Sequence, residues 1–350
     1  MPPCIKDLPL LKNVTKRTIR TSAYQPDAGH MQTLGASGMK IIFSRKGFDK
    51  SNGGVASPIF PGGGLRSLPI PNEWDQKHPP APRYRVSYNE LRYKTEDVGS
   101  LVEDLTVDHR KKKPRIKSEN LCLFSPDLIR HDRVRRFGWL PLLAQKGTAL
   151  AHLFNHGVSE GDLFLFFGWF RRIQEADGHF RFDATNPGVH LIFGWLQIGQ
   201  IWYWYAPDHL PKWAKHHPVV QGEVGEFNYL SKPQSGLFIA KRRLELPGIR
   251  RPLPGGGIFQ TFHSDLCLSG QNNGRRVWQL PGWMYPFPNR MPLTYHPHKT
   301  VWKKSGKWAL LQTVGRGQEF ILDLDSPECS EKYSSDKAEK WLVQIFSHAR

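Results

Sequence analysis

The stretch from Gly161 to Trp202 constrains the fold more than any other part of the chain. Gly161-Asp162 leads into Leu163-Phe164-Leu165-Phe166-Phe167-Gly168-Trp169-Phe170. After Arg171, Arg172 and a charged loop comes His190-Leu191-Ile192-Phe193-Gly194-Trp195-Leu196-Gln197-Ile198-Gly199-Gln200-Ile201-Trp202. Aromatic, leucine-rich and β-branched runs of this kind predict two strands, each broken by a glycine that marks a bulge or a close backbone approach. Shorter strands are expected at Met39–Phe43, Leu65–Ile70, Gly236–Ala240, Gly256–Phe262, Trp308–Val314 and Gln318–Leu322. A helix is expected over 140–156, with Leu143, Leu150 and Phe154 at helical intervals and Gly157 as the stop. A second runs over 336–348, where Ala338, Trp341, Leu342, Ile345 and Phe346 share a face. The expected class is α+β, rich in β. With 32 Gly, 28 Pro, 12 Trp and 20 Phe in 350 residues, an all-helical bundle is excluded, and 39% hydrophobic content excludes disorder of the whole chain.

Charge narrows the partners. The chain holds 49 Lys and Arg against 31 Asp and Glu, a formal +18, which suits a polyanion, although a basic surface also serves solubility. Residues 1–38 lack sustained periodicity and read as a flexible basic extension carrying +3, ahead of a single domain over 39–350. His109 to Lys117 packs six cations into nine positions, among them Lys111, Lys112, Lys113 and Arg115. Such a run faces solvent or contacts phosphate. The four cysteines stand far apart with no CxxC pair, so neither a zinc ribbon nor a disulfide framework is expected. No apolar run is long enough for a membrane span. The expectation is a cytoplasmic protein without membrane partners.

Four constellations bear on chemistry. Ser44-Arg45-Lys46-Gly47-Phe48-Asp49 sends two cations and a carboxylate off the end of a strand beside several glycines, an arrangement that brings charge and backbone amides to a phosphate. It lacks the order of a Walker loop, and a plain polar turn has the same composition. His152 and His156 share a helical face, but without the glutamate of a zinc protease, and no metal is expected. Phe262-His263-Ser264-Asp265 has the letters of a triad, which neighbouring residues rarely assemble. Arg171 and Arg172 follow an aromatic strand, and Trp169 and Trp195 are candidates for a base pocket in which stacking and phosphate contacts cooperate. Most of these rings must serve the core, because alternate strand positions face inward.

Met39-Lys40-Ile41-Ile42-Phe43-Ser44-Arg45-Lys46-Gly47-Phe48-Asp49, Gly157-Val158 with Gly161 to Phe170, Ile192 to Gln197, and Arg316-Gly317-Gln318-Glu319-Phe320 stand in an order that resembles the third type of the nucleotide modification associated domain family. That family, of bacteria and phages, is linked to DNA or nucleotide modification. The resemblance brings no established mechanism or cofactor. It raises Arg45, Lys46, Asp49, Asp162, Arg316, Gln318 and Glu319 above other polar residues. Ser125-Pro126-Asp127 departs from the two acids expected around a proline, and the triple glycine 62–64 alters the turn expected after the first motif. The Gly-Asp turn before an aromatic strand also looks like the barrel of the PUA and EVE-like modified-base readers, which implies a barrel core with flanking helices.

Two readings follow. In the first, the protein binds nucleic acid or a nucleotide and acts on a modified base, with Lys46, Asp49 and Glu319 as catalytic candidates. Arg45, the 111–115 cations, Arg171, Arg172 and Arg316 then contact phosphate, and Trp169, Trp195 and Gln318 the base. In the second it is a non-catalytic reader of modified bases. Whether it is an enzyme is left open by the residues alone.

Overall fold

The computed structural model describes residues 38–72, 86–93, 96–107, 115–129, 138–204, 213–214, 235–270, 275–288, 290–315, 317–324 and 335–349. The expected extension over 1–38 (apart from Gly38), Lys111, Lys112, Lys113 and Arg316 lie outside them. The strands are β1 (Lys40–Arg45), β2 (Ser57–Ile59), β3 (Ile70–Pro71), β4 (Arg92–Tyr93), β5 (Glu96–Asp97), β6 (Cys122–Leu123), β7 (Leu142–Lys146), β8 (Leu163–Ala176), β9 (His179–Phe182), β10 (Val189–Trp204), β11 (Ser235–Ala240), β12 (Gly256–Ile258), β13 (Val277–Pro281), β14 (Trp302–Ser305), β15 (Trp308–Gln312) and β16 (Glu319–Asp323). The helices among the described residues are α1 (Val98–Thr106), α2 (Gly147–Asn155) and α3 (Ser335–Phe346).

A nine-stranded sheet follows the path β16-β1-β8-β10-β11-β7, with β2 and β9 on β8 and β12 on β10. It is built on the expected aromatic strands. β1 runs parallel to β8, with Phe43 opposite Leu165, and antiparallel to β16, with Ser44 opposite Glu319. The β8–β10 register shifts between Ile192 and Gly194, and the β10–β11 register between Ile198 and Gln200. These irregularities lie at the glycines that break the second aromatic run. On one face a smaller sheet, β13-β15-β14, brings Trp278 against Phe43, Phe167 and Phe320. α3 buries Ala338, Leu342, Ile345 and Phe346, and the Phe346 ring lies 5.4 Å from that of Trp195.

The β-rich mixed class is as expected, but the sheet is not a closed barrel. Closure needs a continuous ladder between the edge strands, and β16 and β7 have none. The outer edge of β16 is taken instead by Thr294, whose N–H donates to the Ile321 carbonyl at 3.2 Å and whose Oγ1 accepts from the Ile321 N–H at 3.0 Å. The two edges still meet through side chains, since Gln145 of β7 donates its amide to Glu319 of β16.

Two further expectations change, and one helix is new. The helix expected from 140 begins at Gly147, because Leu142–Lys146 pairs with β11, whose six residues are all buried and whose edge requires a partner. Tertiary pairing overrides local helical spacing there, and Phe154 is left 43% exposed. Leu65–Ile70 holds little strand, since β3 begins only at Ile70. α1 had no sequence expectation; Asp97 caps it by accepting from the Ser100 N–H at 2.8 Å. None of the helices among the described residues is long and apolar enough to cross a membrane.

Candidate functional site

The polar centre of the molecule lies where the two sheet edges face each other. β1 ends at Arg45, and the next residue, Lys46, donates its N–H to the Phe167 carbonyl at 2.9 Å. This close approach needs Gly168, because a Cβ there would stand 2.8 Å from the Lys46 carbonyl oxygen. Lys46 Nζ then donates to Glu319 Oε1 at 2.9 Å, with the two side chains 8% and 1% exposed. Gln145 Nε2 donates to the same oxygen. Glu319 Oε2, equally buried, has no hydrogen-bond partner among the described residues. A buried carboxylate oxygen left without a donor costs free energy, and native proteins rarely leave one so.

These residues line a cleft of about 910 Å³ whose walls include Arg45, Asp49, Gln318, Tyr295 and the first residues of α2, Gly147 to Ala149. The nine-residue helix has no side-chain cap at its start, so its first amides add positive potential to the cations of Arg45, Lys46 and Lys146. Tyr295 holds a left-handed backbone, φ +67°. Its ring stacks on His152 with centroids 4.5 Å apart, and it fits only because Gly317, φ +88°, has no Cβ to strike it at 2.9 Å. Non-glycine residues in that region store strain, which concentrates at functional sites. Burial drives the His152 imidazole down to about 4, so it stays neutral at pH 7.

The structure thus brings together five of the expected residues: Arg45, Lys46, Asp49, Gln318 and Glu319. Their parts differ. Arg45 donates to the Gly317 carbonyl at 3.0 Å and braces the β16 approach. Asp49 Oδ1 accepts from the Ser51 and Asn52 N–H groups, both at 2.7 Å, so it shapes its own turn. Asp162 accepts from the Lys40 and Ser159 N–H groups and ties the starts of β1 and β8 away from the cleft.

The aromatic and outer basic candidates stand elsewhere. Trp195 is 1% exposed in the core and donates its indole N–H to the Pro254 carbonyl. Trp169 is covered by Arg275, whose guanidinium carbon lies 3.8 Å from the ring centroid. Neither ring lines the cleft. Arg171 donates to the Asn186 and Asp183 carbonyls, Arg172 lies over Phe262, and Arg115 pairs with Glu103. His152 and His156 do not converge on a common point; His152 Nε2 meets Thr294 Oγ1 and His156 Nδ1 meets the His152 carbonyl. His263 and Asp265 do converge with His348, their ligand atoms lying within 4.8 Å of one another. The third member is not the Ser264 of the triad letters but His348, in the turn that follows α3.

Sequence reasoning missed Gln145 and Tyr295. Gln145 falls within the helix that the spacing over 140–156 predicts, and nothing in Leu293-Thr294-Tyr295 signals a cleft.

The family model for nucleotide modification associated domain 3 matches residues 40–323. The chain belongs to this family. The match runs from the first residue of β1 to the last of β16, so the family domain contains every strand of the sheet and all the cleft residues named above. No curated protein and no solved structure matches the chain. Membership in the family links the chain to nucleotide modification.

Proposed function

We propose that the cleft binds a nucleotide, free or within a nucleic acid, and that Glu319 and Lys46 move protons on the base held beside them. One observation carries this reading: a buried carboxylate with Oε1 fixed by Lys46 and Gln145 and Oε2 without a partner. Such an oxygen suits a base N–H or a reacting hydroxyl, from which it takes a proton, while Lys46 donates one or stabilises negative charge on an oxygen nearby. Gln145 keeps the carboxylate from rotating, so that the free oxygen keeps its place. The phosphate belongs at the α2 start, where amides, Arg45 and Lys146 meet.

The test is conversion of deoxynucleotides and DNA followed by mass spectrometry of the digested bases. Wild type should change a base, and Glu319→Gln, which keeps the size and can hold Lys46 only through a neutral oxygen, should lower the rate by roughly 100-fold or more. Conversion that persists in Glu319→Gln removes the proton-transfer assignment. The reader alternative draws less support, since the two expected pocket tryptophans are covered. It predicts binding without conversion. Binding through several phosphates should weaken steeply as salt rises.

A further inference from the structure

Beside the cleft lies a smaller chamber of about 60 Å³ that shares Gly47, Ile70, Leu123 and Ser125 with it as walls. Its other walls are largely apolar, the exceptions being Ser67 and one charged residue. Arg66 lines the chamber, is 5% exposed, and has no carboxylate within ion-pair distance among the described residues. Its Nε has no hydrogen-bond partner. Among the described residues, the groups able to carry negative charge that act on it are the Tyr93 phenol and the Cys122 thiol, and burial pushes both above their ordinary range, so both are neutral at pH 7. The ring of Tyr93 offers a cation–π contact at 5.8 Å, far less than a buried guanidinium loses on leaving water.

An arginine cannot shed its charge as a lysine can. A buried one without a counter-charge is therefore strongly unfavourable unless something binds it. We infer that the Arg66 chamber is an oxyanion subsite, which takes one singly charged group of a substrate or co-substrate, a carboxylate or a phosphate monoanion. One guanidinium balances one charge and matches either group with two parallel N–H donors. The chamber is too small for a whole nucleotide, so the anion is the end of a molecule that extends into the cleft. The subsite itself stands on the chamber and Arg66; only its place in a reaction rests on the function proposed above.

The experiment uses the full chain and Arg66→Met, with acetate, inorganic phosphate and a deoxynucleoside 5′-monophosphate as probes, each followed by calorimetry and thermal unfolding. At least one probe should bind wild type, and Arg66→Met should weaken it by roughly tenfold or more. Acetate as the tightest probe identifies a carboxylate, and either phosphate probe a phosphoryl group. Without probe, Arg66→Met should unfold at the same temperature as wild type or higher, because it removes a charge held for a ligand. A large drop in unfolding temperature would make Arg66 a structural residue and overturn the assignment, as would equal binding of every probe by both proteins. Lys46→Ala separates the two proposals: it should keep anion binding at Arg66 even if base conversion is lost or never existed.

Discussion

Lys46 and Arg66 are both buried cations beside neighbouring cavities, and they meet the cost of burial in opposite ways. Lys46 has Glu319 at 2.9 Å and shares it with Gln145. Among the described residues Arg66 has no ionic partner. The first arrangement is complete in the free protein except for one carboxylate oxygen, and the second is incomplete until an anion arrives. A charge that the fold has paired serves structure and chemistry together, whereas an unpaired one serves stability poorly and points to a ligand.

The largest effect should come from breaking the complete arrangement on one side. Lys46→Met leaves Glu319 ionised and buried with only Gln145, and should cost about 3–5 kcal/mol of stability. The double variant Lys46→Met/Glu319→Leu should recover most of that loss, since replacing both charges by apolar groups is often close to neutral. Urea unfolding of the three proteins measures the coupling directly. If the single variant is as stable as wild type, the ion pair is not the buried contact described here, and the contrast with Arg66 disappears.

A third buried base follows another course. His190 sits on β10 opposite Trp169 and accepts a hydrogen bond on Nδ1 from the Trp278 indole at 3.0 Å, which places the neutral ring's proton on Nε2. Burial first, then the charges of Arg275 and Arg45, press its pKa down to about 3. The unfolded chain takes up this proton near pH 6.5 and the folded one only near 3, so stability is lost as pH falls below about 6.5. Between pH 7 and pH 5 the loss from this residue is about 2 kcal/mol. Comparing urea midpoints at the two pH values for wild type and His190→Gln isolates it from the other histidines. Equal losses in both proteins would mean that His190 is not held neutral by burial.

How much of this was legible depends on what kind of neighbour each residue has. The central strands were readable because an apolar aromatic run carries its own instruction, whatever it packs against. Lys46 and Glu319 stand 273 positions apart, and the link between them came from family-like phrases, since no local pattern joins the end of β1 to the start of β16. Gln145 was hidden because helical spacing over 140–156 competed with an edge of β11 that only the folded sheet supplies. Trp195 shows the reverse error: a tryptophan in a strand carries the same letter whether it faces a pocket or Phe259 and Phe346. For Arg66 a signal existed, an arginine within the largely apolar stretch Leu65–Ile70 between glycine-rich and proline-rich loops. Arginines in such stretches usually face solvent, so the letter alone does not separate a buried one from the rest.

The smallest effect should come from the same chemistry at the surface. Arg115 approaches Glu103 at 3.6 Å, with side chains 46% and 31% exposed. Water screens the attraction, and both side chains lose rotamer freedom to meet. Glu103 also accepts from the Ser118 N–H at 2.7 Å, so it keeps a partner when Arg115 is removed. Arg115→Ala should therefore change stability by no more than about 0.5 kcal/mol, and added salt should reduce even that. A loss comparable with that of Lys46→Met would show that burial is not what separates the two pairs, and the argument that singles out Arg66 would lose its physical basis.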